Sequence, residues 1–278
     1  MPDLTLYDIS SPLQPRSYAP NPSKARLALG FKRASFRTEW VDIPDIERVR
    51  RSLNCPATRK LDDGSDFFTL PILRDASTGQ VIGDSFDIAR YLDATIPSPS
   101  PPLLPPQESL KGKWTTYSSP AKDTPFFAPI TTNAGSTHPT FASFNLHIDA
   151  TFSANMALYG QFLPFNPATA EAAKALMCKR AHLNSWDDLT IPGEARRPLF
   201  EGGFKDAMEG VAALFGSGEG HIWLEGPEPC YADLIVGGWL NMLSCLMPKD
   251  EWVEFRGWFG GVFGRVHDAL QESFFVIQ

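Results

Sequence analysis

The chain has 278 residues, 43% of them hydrophobic, a net charge of −7 and a sequence pI near 5.3. That length exceeds a common single domain and suits a small domain followed by a larger one, with apolar content enough for two cores. The acidic balance without a basic run excludes nucleic acid or an anionic membrane as main partner, and no membrane-length apolar span or N-terminal signal core is present, which predicts a cytoplasmic protein whose partners are small molecules or proteins.

Leu4 to Ile9, LTLYDI, reads as a first strand, and the Pro- and Ser-rich stretch from Ser10 to Pro20 as a loop. Asn21-Pro22 then opens a helix, with Asn21 as N-cap, Pro22 at the first helical position, Ala25, Ala28 and Leu29 on the apolar side, and Gly30 at the end. Phe36 to Ile43 alternates as a second strand, which Pro44 ends before a charged helix, DIERVRRSL, from Asp45. The turn-rich segment that follows carries Cys55, Arg59 and Lys60. Phe67 to Leu73 is an apolar run interrupted by Pro71, which removes a ladder donor, so the peptide at Leu70-Pro71 is expected to turn outward or be cis. Asp75 to Gly79 supplies a turn, Gln80 to Gly83 a short strand, and Ser85 the cap of a helix whose apolar face is Ile88, Tyr91 and Leu92. This last helix start suits a carboxylate, and the adjacent Asp84 suits an ammonium group. Together they fit an α-amino acid.

Residues 97–106, proline-dense, cannot continue a helix and read as an inter-domain linker. From residue 107 onward the patterns are helical, at about 108–120, 139–160, 167–188, 197–216, 229–247 and 249–271. Asn166-Pro167 repeats the Asn and Pro device. In PCYADL, Asp233 stands three residues after Cys230, a poor capping acceptor, so an incomplete capping box is expected there. Aromatic residues are dense in the first half of this region. The four cysteines, Cys55, Cys178, Cys230 and Cys245, form no CxxC or His-Cys pattern, so neither a disulfide framework nor a metal site is expected.

A strand ending in a proline, a hairpin, and an acid-Ser pair at a helix start together resemble the glutathione site of the glutathione transferases. The resemblance extends along nearly the whole chain. It implies an α/β thioredoxin-like domain over residues 1–96 and, after the linker, an all-α domain over 107–278 that contributes a hydrophobic acceptor pocket, usually in a homodimer. It implies glutathione as co-substrate, its cysteinyl unit paired with the Leu70 backbone before Pro71, its γ-glutamyl end held by Asp84 and Ser85, and its glycyl carboxylate met by Arg59 or Lys60. Placing Arg26 on the arginine that closes the family's first-helix motif puts Ala19 where a catalytic Ser is usual and Asn21 where a Cys occurs. Neither is the expected hydroxyl or thiol, so Asn21, Ser23 and Ser17 are the candidate thiolate stabilisers. Tyr18, Trp114, Tyr117 and Phe126 are candidates for an acceptor pocket taking aromatic or phenolic compounds. The long first loop and the LDDGSDF insertion resemble the fungal etherase-type members, including fungal class A, which implies conjugation to, or ether cleavage of, aromatic electrophiles in detoxification. Two other classes stand beside the enzyme: a non-catalytic carrier of glutathione or aromatic ligands, which Ala19 favours, and an interaction module, against which the Asp84-Ser85 pair counts.

Overall fold

A computed structural model of the chain describes residues 2–61, 63–96, 101–106, 133, 135–215, 221–224 and 226–277. Its first half runs β1 (Leu4–Ile9), α1 (Pro20–Phe31), β2 (Phe36–Val41), α2 (Ile46–Ser52), β3 (Arg59–Lys60), β4 (Asp66–Phe67), β5 (Ile72–Asp75), β6 (Gln80–Ile82) and α3 (Ser85–Thr95). The second half holds α4 (Pro139–Ala154), α5 (Ala157–Gly160), α6 (Ala170–Ala181), α7 (Gly193–Leu199), α8 (Lys205–Ala212), α9 (Tyr231–Leu246) and α10 (Lys249–Phe274), with no strand among the described residues. The expected order of a mixed α/β unit followed by a helical one is therefore what the chain adopts. The segment expected as a helix at 108–120, with Trp114, Tyr117 and Phe126, lies outside the described residues, as does the start of the proline-rich stretch.

The four-stranded sheet has the order β2-β1-β5-β6. β1 runs parallel to β2, from Leu4 opposite Phe36 to Ile9 opposite Val41, and antiparallel to β5, from Leu4 opposite Asp75 to Tyr7 opposite Ile72. The run expected as one strand from Phe67 to Leu73 is split: Phe67 pairs with Arg59 in the β3-β4 hairpin, and the sheet resumes at Ile72. Between them the Leu70-Pro71 peptide is cis, one of the two outcomes expected.

α1 is the hub. Every residue from Pro22 to Phe31 is buried, because the helix lies between the sheet and α9, α10 and α3. The close approach needs small residues on the neighbours: a Cβ at Gly238 of α9 would sit 2.6 Å from the Pro20 carbonyl oxygen, and one at Gly30 would overlap the Phe274 carbonyl. Two cations go into this interior with the helix. Arg26 Nη2 donates to Asp8 Oδ2 at 2.8 Å and Nη1 to the Val276 carbonyl at 2.7 Å. Lys24 Nζ donates to Asp149 Oδ1 at 2.5 Å and Asn145 Oδ1 at 2.9 Å, crossing from the sheet half to α4.

Three N-cap expectations shift by one to three residues: the helix expected from Asn166-Pro167 opens only at Ala170, with Thr169 at its N-cap. α1 starts at Pro20 with Ala19 as its extended N-cap, because the fixed proline φ suits the first helical position, so Asn21 stands inside the first turn rather than capping it. In α3 the cap is Asp84, whose Oδ1 accepts from Phe86 N at 2.8 Å and Asp87 N at 3.4 Å, and Ser85 is the first helical residue. The end of the proline-rich stretch is anchored: Leu103 and Leu104 are buried, their amides donate to Asp93, and the Leu103 carbonyl accepts from Tyr231 N at 2.7 Å. α10 is interrupted where Phe259, Gly260 and Gly261 take positive φ of 51°, 71° and 77°, which the glycine pair tolerates without strain.

The box at the start of α9 is reciprocal, not incomplete: Asp233 Oδ2 accepts from Cys230 N at 2.9 Å, and the Cys230 sulfur faces the Asp233 amide. Asp233 Oδ1 also accepts from Leu224 N at 2.8 Å. Complete burial pushes the Asp233 carboxyl up to about 6, against the pull of these backbone donors. The folded chain thus holds this proton more tightly than the unfolded one, whose Asp titrates near about 3.9. The stability involved is whole below about pH 4 and lost as pH rises through about 6, by up to about 3 kcal/mol. Urea denaturation across this range is expected to show the decline in the native chain and a flatter profile in Asp233→Asn; equal slopes would refute it.

Candidate functional site

Arg50 shapes the wall on which the sequence-expected site residues lie. It is fully buried and has no carboxylate partner among the described residues. Its Nη1 donates to the Thr69 carbonyl at 2.6 Å and the Gly83 carbonyl at 3.1 Å, and its Nη2 to the Pro56 carbonyl at 2.5 Å. One guanidinium thereby ties the end of α2 to the loop before β3, to the approach to Leu70, and to the turn before Asp84. Gly83 is required there, since a Cβ would stand 2.2 Å from Arg50 Nη2 and 2.6 Å from Cys55 Sγ. Cys55 is buried against this assembly and burial pushes its thiol pKa up, the reverse of what a nucleophile needs.

A cavity of about 130 Å³ opens between the two halves of the chain. The first turn of α1 contributes Tyr18, Ala19, Pro20, Asn21 and Pro22, and the sheet side contributes Arg59, Phe67, Thr69 and Leu70. Across from them stand Asp149, Met156, Leu163, Met177, Arg180, Trp239 and Met242 from the helical half. Asp84 joins the sheet-side wall through Arg59, whose Nη2 is 3.8 Å from Asp84 Oδ2, and both side chains are over nine-tenths buried. Ser85, also buried, follows at the start of α3. Of Leu70, Asp84 and Ser85, Leu70 lines the cavity, while Asp84 and Ser85 lie behind that lining, Asp84 next to Arg59. Lys60 does neither: its side chain is 66% exposed and bonded to Asp66 at 2.6 Å. Alternation along the two-residue strand β3 sends Arg59 inward and Lys60 outward.

The three candidate thiolate stabilisers separate. Ser23 is fully buried and its Oγ accepts from Asn241 Nδ2 at 2.9 Å, so it faces α9. Ser17 is also fully buried, its carbonyl accepts from the same Asn241 amide at 3.2 Å, and it does not line the cavity. Asn21 does line it, and its Oδ1 is buried without a partner. The turn is poor in donors otherwise: Pro20 and Pro22 have no N–H, and Ser23 N is committed to the Ala19 carbonyl at 3.0 Å. Tyr18 lines the cavity, its phenol pushed far up by burial and then by the charge of Asp8.

The cavity floor was not legible as a site. Asp149 Oδ1 accepts from both Lys24 and Trp239 Nε1, the latter at 2.7 Å, and the Trp239 indole stacks on Phe152 with ring centres 5.2 Å apart. The one signal was Asn145 and Asp149 four residues apart in the otherwise apolar FASFNLHIDATF, a polar pair on one helix face. Among the described residues no cluster of His, Cys, Asp and Glu has the makings of a metal site, and no helix is long and apolar enough to cross a membrane.

The family model of the glutathione S-transferase N-terminal domain matches residues 18–95, and that of the glutathione S-transferase C-terminal domain matches residues 186–273. Between them they take in more than half of the chain. No curated protein matches by sequence. Among solved structures, a glutathione S-transferase of Ceriporiopsis subvermispora in complex with glutathione is 24% identical, with 99% of each chain covered and a TM-score of 0.80. A second from the same organism, also in complex with glutathione, is 24% identical over 97% of this chain and 98% of that one, TM-score 0.75. A glutathione transferase of Phanerochaete chrysosporium is 22% identical over 99% of both, TM-score 0.71. At these identities the likeness is one of fold.

If Arg50 sets the wall, replacing it strands three buried carbonyls. Arg50→Met is expected to lower stability by about 3 kcal/mol, as unfolding in urea measures. A loss under about 1 kcal/mol would remove Arg50 from that role.

Proposed function

The chain belongs to the glutathione S-transferase family, and on that premise we propose that it binds glutathione along the sheet-side wall, activates the thiol at the first turn of α1, and transfers it to an aromatic electrophile. The observation that carries this reading is a cavity bounded by Asn21, Arg59 and Leu70 on one side and by a largely apolar helical wall on the other.

In this reading the cysteinyl unit of glutathione runs beside Leu70, which lies outside the sheet ladder. Its γ-glutamyl ammonium meets Asp84 Oδ2, since Oδ1 is engaged in capping α3, and its α-carboxylate meets the helix start at Ser85. The glycyl carboxylate falls to Arg59, the inward cation, in place of Lys60. Asn21 supplies what a hydroxyl at position 19 would: its backbone amide and carboxamide are the donors left at that turn, and a hydrogen bond to the thiolate holds the sulfur ionised. The electrophile lies against Tyr18, Met156, Leu163, Trp239 and Met242, apolar and aromatic surface suited to a planar ring, so that sulfur and acceptor meet with little motion. Conjugation or aryl-ether cleavage both need only this arrangement. The structural likeness to glutathione-bound relatives of Ceriporiopsis subvermispora supports the glutathione half of the reading.

The donor-poor turn also favours a second reading, a carrier that holds glutathione or aromatic compounds without turnover. Calorimetric titration with glutathione, followed by assays with several aryl electrophiles, separates the two: binding with turnover is expected, binding without turnover means a carrier, and no binding sinks both. Ser85→Ala is expected to weaken glutathione by about 1–3 kcal/mol, and an unchanged dissociation constant would refute the γ-glutamyl assignment. Asn21→Ala is expected to raise the pKa of bound glutathione by about 1–2 units, equivalent to about 1.5–3 kcal/mol, read from thiolate absorbance against pH. No shift would move the donor elsewhere.

A further inference from the structure

Arg180, near the end of α6, carries a charge that the protein leaves unmatched. It lines the cavity from the helical side. Its guanidinium lies over the Phe67 ring, 4.5 Å from the ring centre, and Nη2 donates to the Phe68 carbonyl at 3.3 Å. A guanidinium has five N–H donors. That single long hydrogen bond is the only one Arg180 makes among the described residues, and no carboxylate there comes within ion-pair distance, the charge of Glu47 acting on it only from further off.

The contrast with the other enclosed cations is informative. Lys24 and Arg26 are each paired with a buried carboxylate, Arg59 stands beside Asp84, and Arg50 donates to three carbonyls. Burial without a partner disfavours a cation, and Arg180 shows this as a pKa pushed down to about 10, so that it stays charged at neutral pH at a cost in solvation. Its position is nonetheless fixed, since the Phe67 ring and the Phe68 carbonyl hold the planar head from the sheet side. A fixed, partly desolvated guanidinium with spare donors in a cavity wall is built for bidentate contact with a planar anion.

We propose that Arg180 is an anion subsite of the cavity, taking a carboxylate of the small molecule bound there. This rests on the glutathione-transferase reading of the cavity and deepens it by naming a substrate class. The carboxylate has two possible sources: an acidic group on the aromatic acceptor, which would make the preferred electrophile an aryl acid, or the glycyl end of glutathione, which Arg180 would then share with Arg59.

Calorimetry on the native chain, Arg180→Gln and Arg180→Lys with four probes tests it: glutathione, glutathione esterified at its glycyl carboxylate, 2-naphthoate, and methyl 2-naphthoate. If the acceptor supplies the anion, 2-naphthoate binds the native chain at least tenfold more tightly than its ester, and Arg180→Gln abolishes that difference while glutathione is unaffected. If glutathione supplies it, Arg180→Gln weakens glutathione at least tenfold and leaves the ester as it was. In either case Arg180→Lys recovers part of the preference, because charge returns without the planar fork. The proposal is overturned if the native chain binds acid and ester equally in both pairs, an outcome that needs no variant to fold. It is also overturned if Arg180→Gln weakens acids and esters alike. Failure of the underlying reading looks different: the native chain would bind neither form of glutathione, whatever the naphthoate pair does.

Discussion

A helix buried on all sides cannot carry unpaired charge, and α1 carries two. Lys24 and Arg26 are both fully enclosed, and moving an ammonium or a guanidinium out of water costs several kcal/mol after relaxation. Burial accordingly pushes the Lys24 pKa down, and Asp149 pulls it back. The compensating groups sit on different parts of the chain: Asp8 on β1, the Val276 carbonyl near the C-terminus, and Asn145 and Asp149 on α4. Satisfying α1 therefore fixes how the helical half sits on the sheet half. The cavity follows from that docking, because the first turn of α1 projects into the space that the Lys24–Asp149 bridge holds open at its edge.

The same helix sets the chemistry available there. A helix start ordinarily offers several unpaired amides and a partial positive charge to an anion. Here the prolines at 20 and 22 give a rigid, pre-set first turn and remove two of those donors, and Ala19 contributes no hydroxyl. What survives is concentrated on Asn21. Rigidity is gained at the expense of donor number, so on the proposed reading Asn21 alone decides whether a thiol placed at this turn is ionised.

Much of this was legible in the sequence, and what was not has specific physical reasons. The alternation of strands and helices, the interruption at Leu70-Pro71 and the Asp84-Ser85 helix start are local signals, written in turn chemistry and capping preferences, and the chain adopts all three. Cap assignments missed by one or two residues because Asn21 and Ser85 are both good caps by type, while Pro20 and the extended backbone of Asp84 decide the matter. Arg59 and Lys60 stand as alternatives in the sequence because two adjacent basic residues in a turn-rich segment carry no mark of which faces in; the pairing of Arg59 with Phe67 in a hairpin turns Arg59 inward. Arg180 left no trace, since a basic residue in the last turn of a helix is also the common complement to the helix dipole. The paired function of Asp149 is likewise a long-range fact, 125 residues from Lys24.

The side of the cavity that carries Leu70 and Arg59 is organised without a close carboxylate–guanidinium hydrogen bond between Asp84 and Arg59. Arg50, behind it, donates its two Nη groups to backbone carbonyls while its Nε stays without a partner, so it organises three segments without drawing on any carboxylate among the described residues. Asp84 gives one oxygen to its helix and keeps the other 3.8 Å from Arg59, close enough for attraction and too far for a hydrogen bond. On the proposed reading, a charged ligand meets these groups without first breaking a hydrogen bond between them.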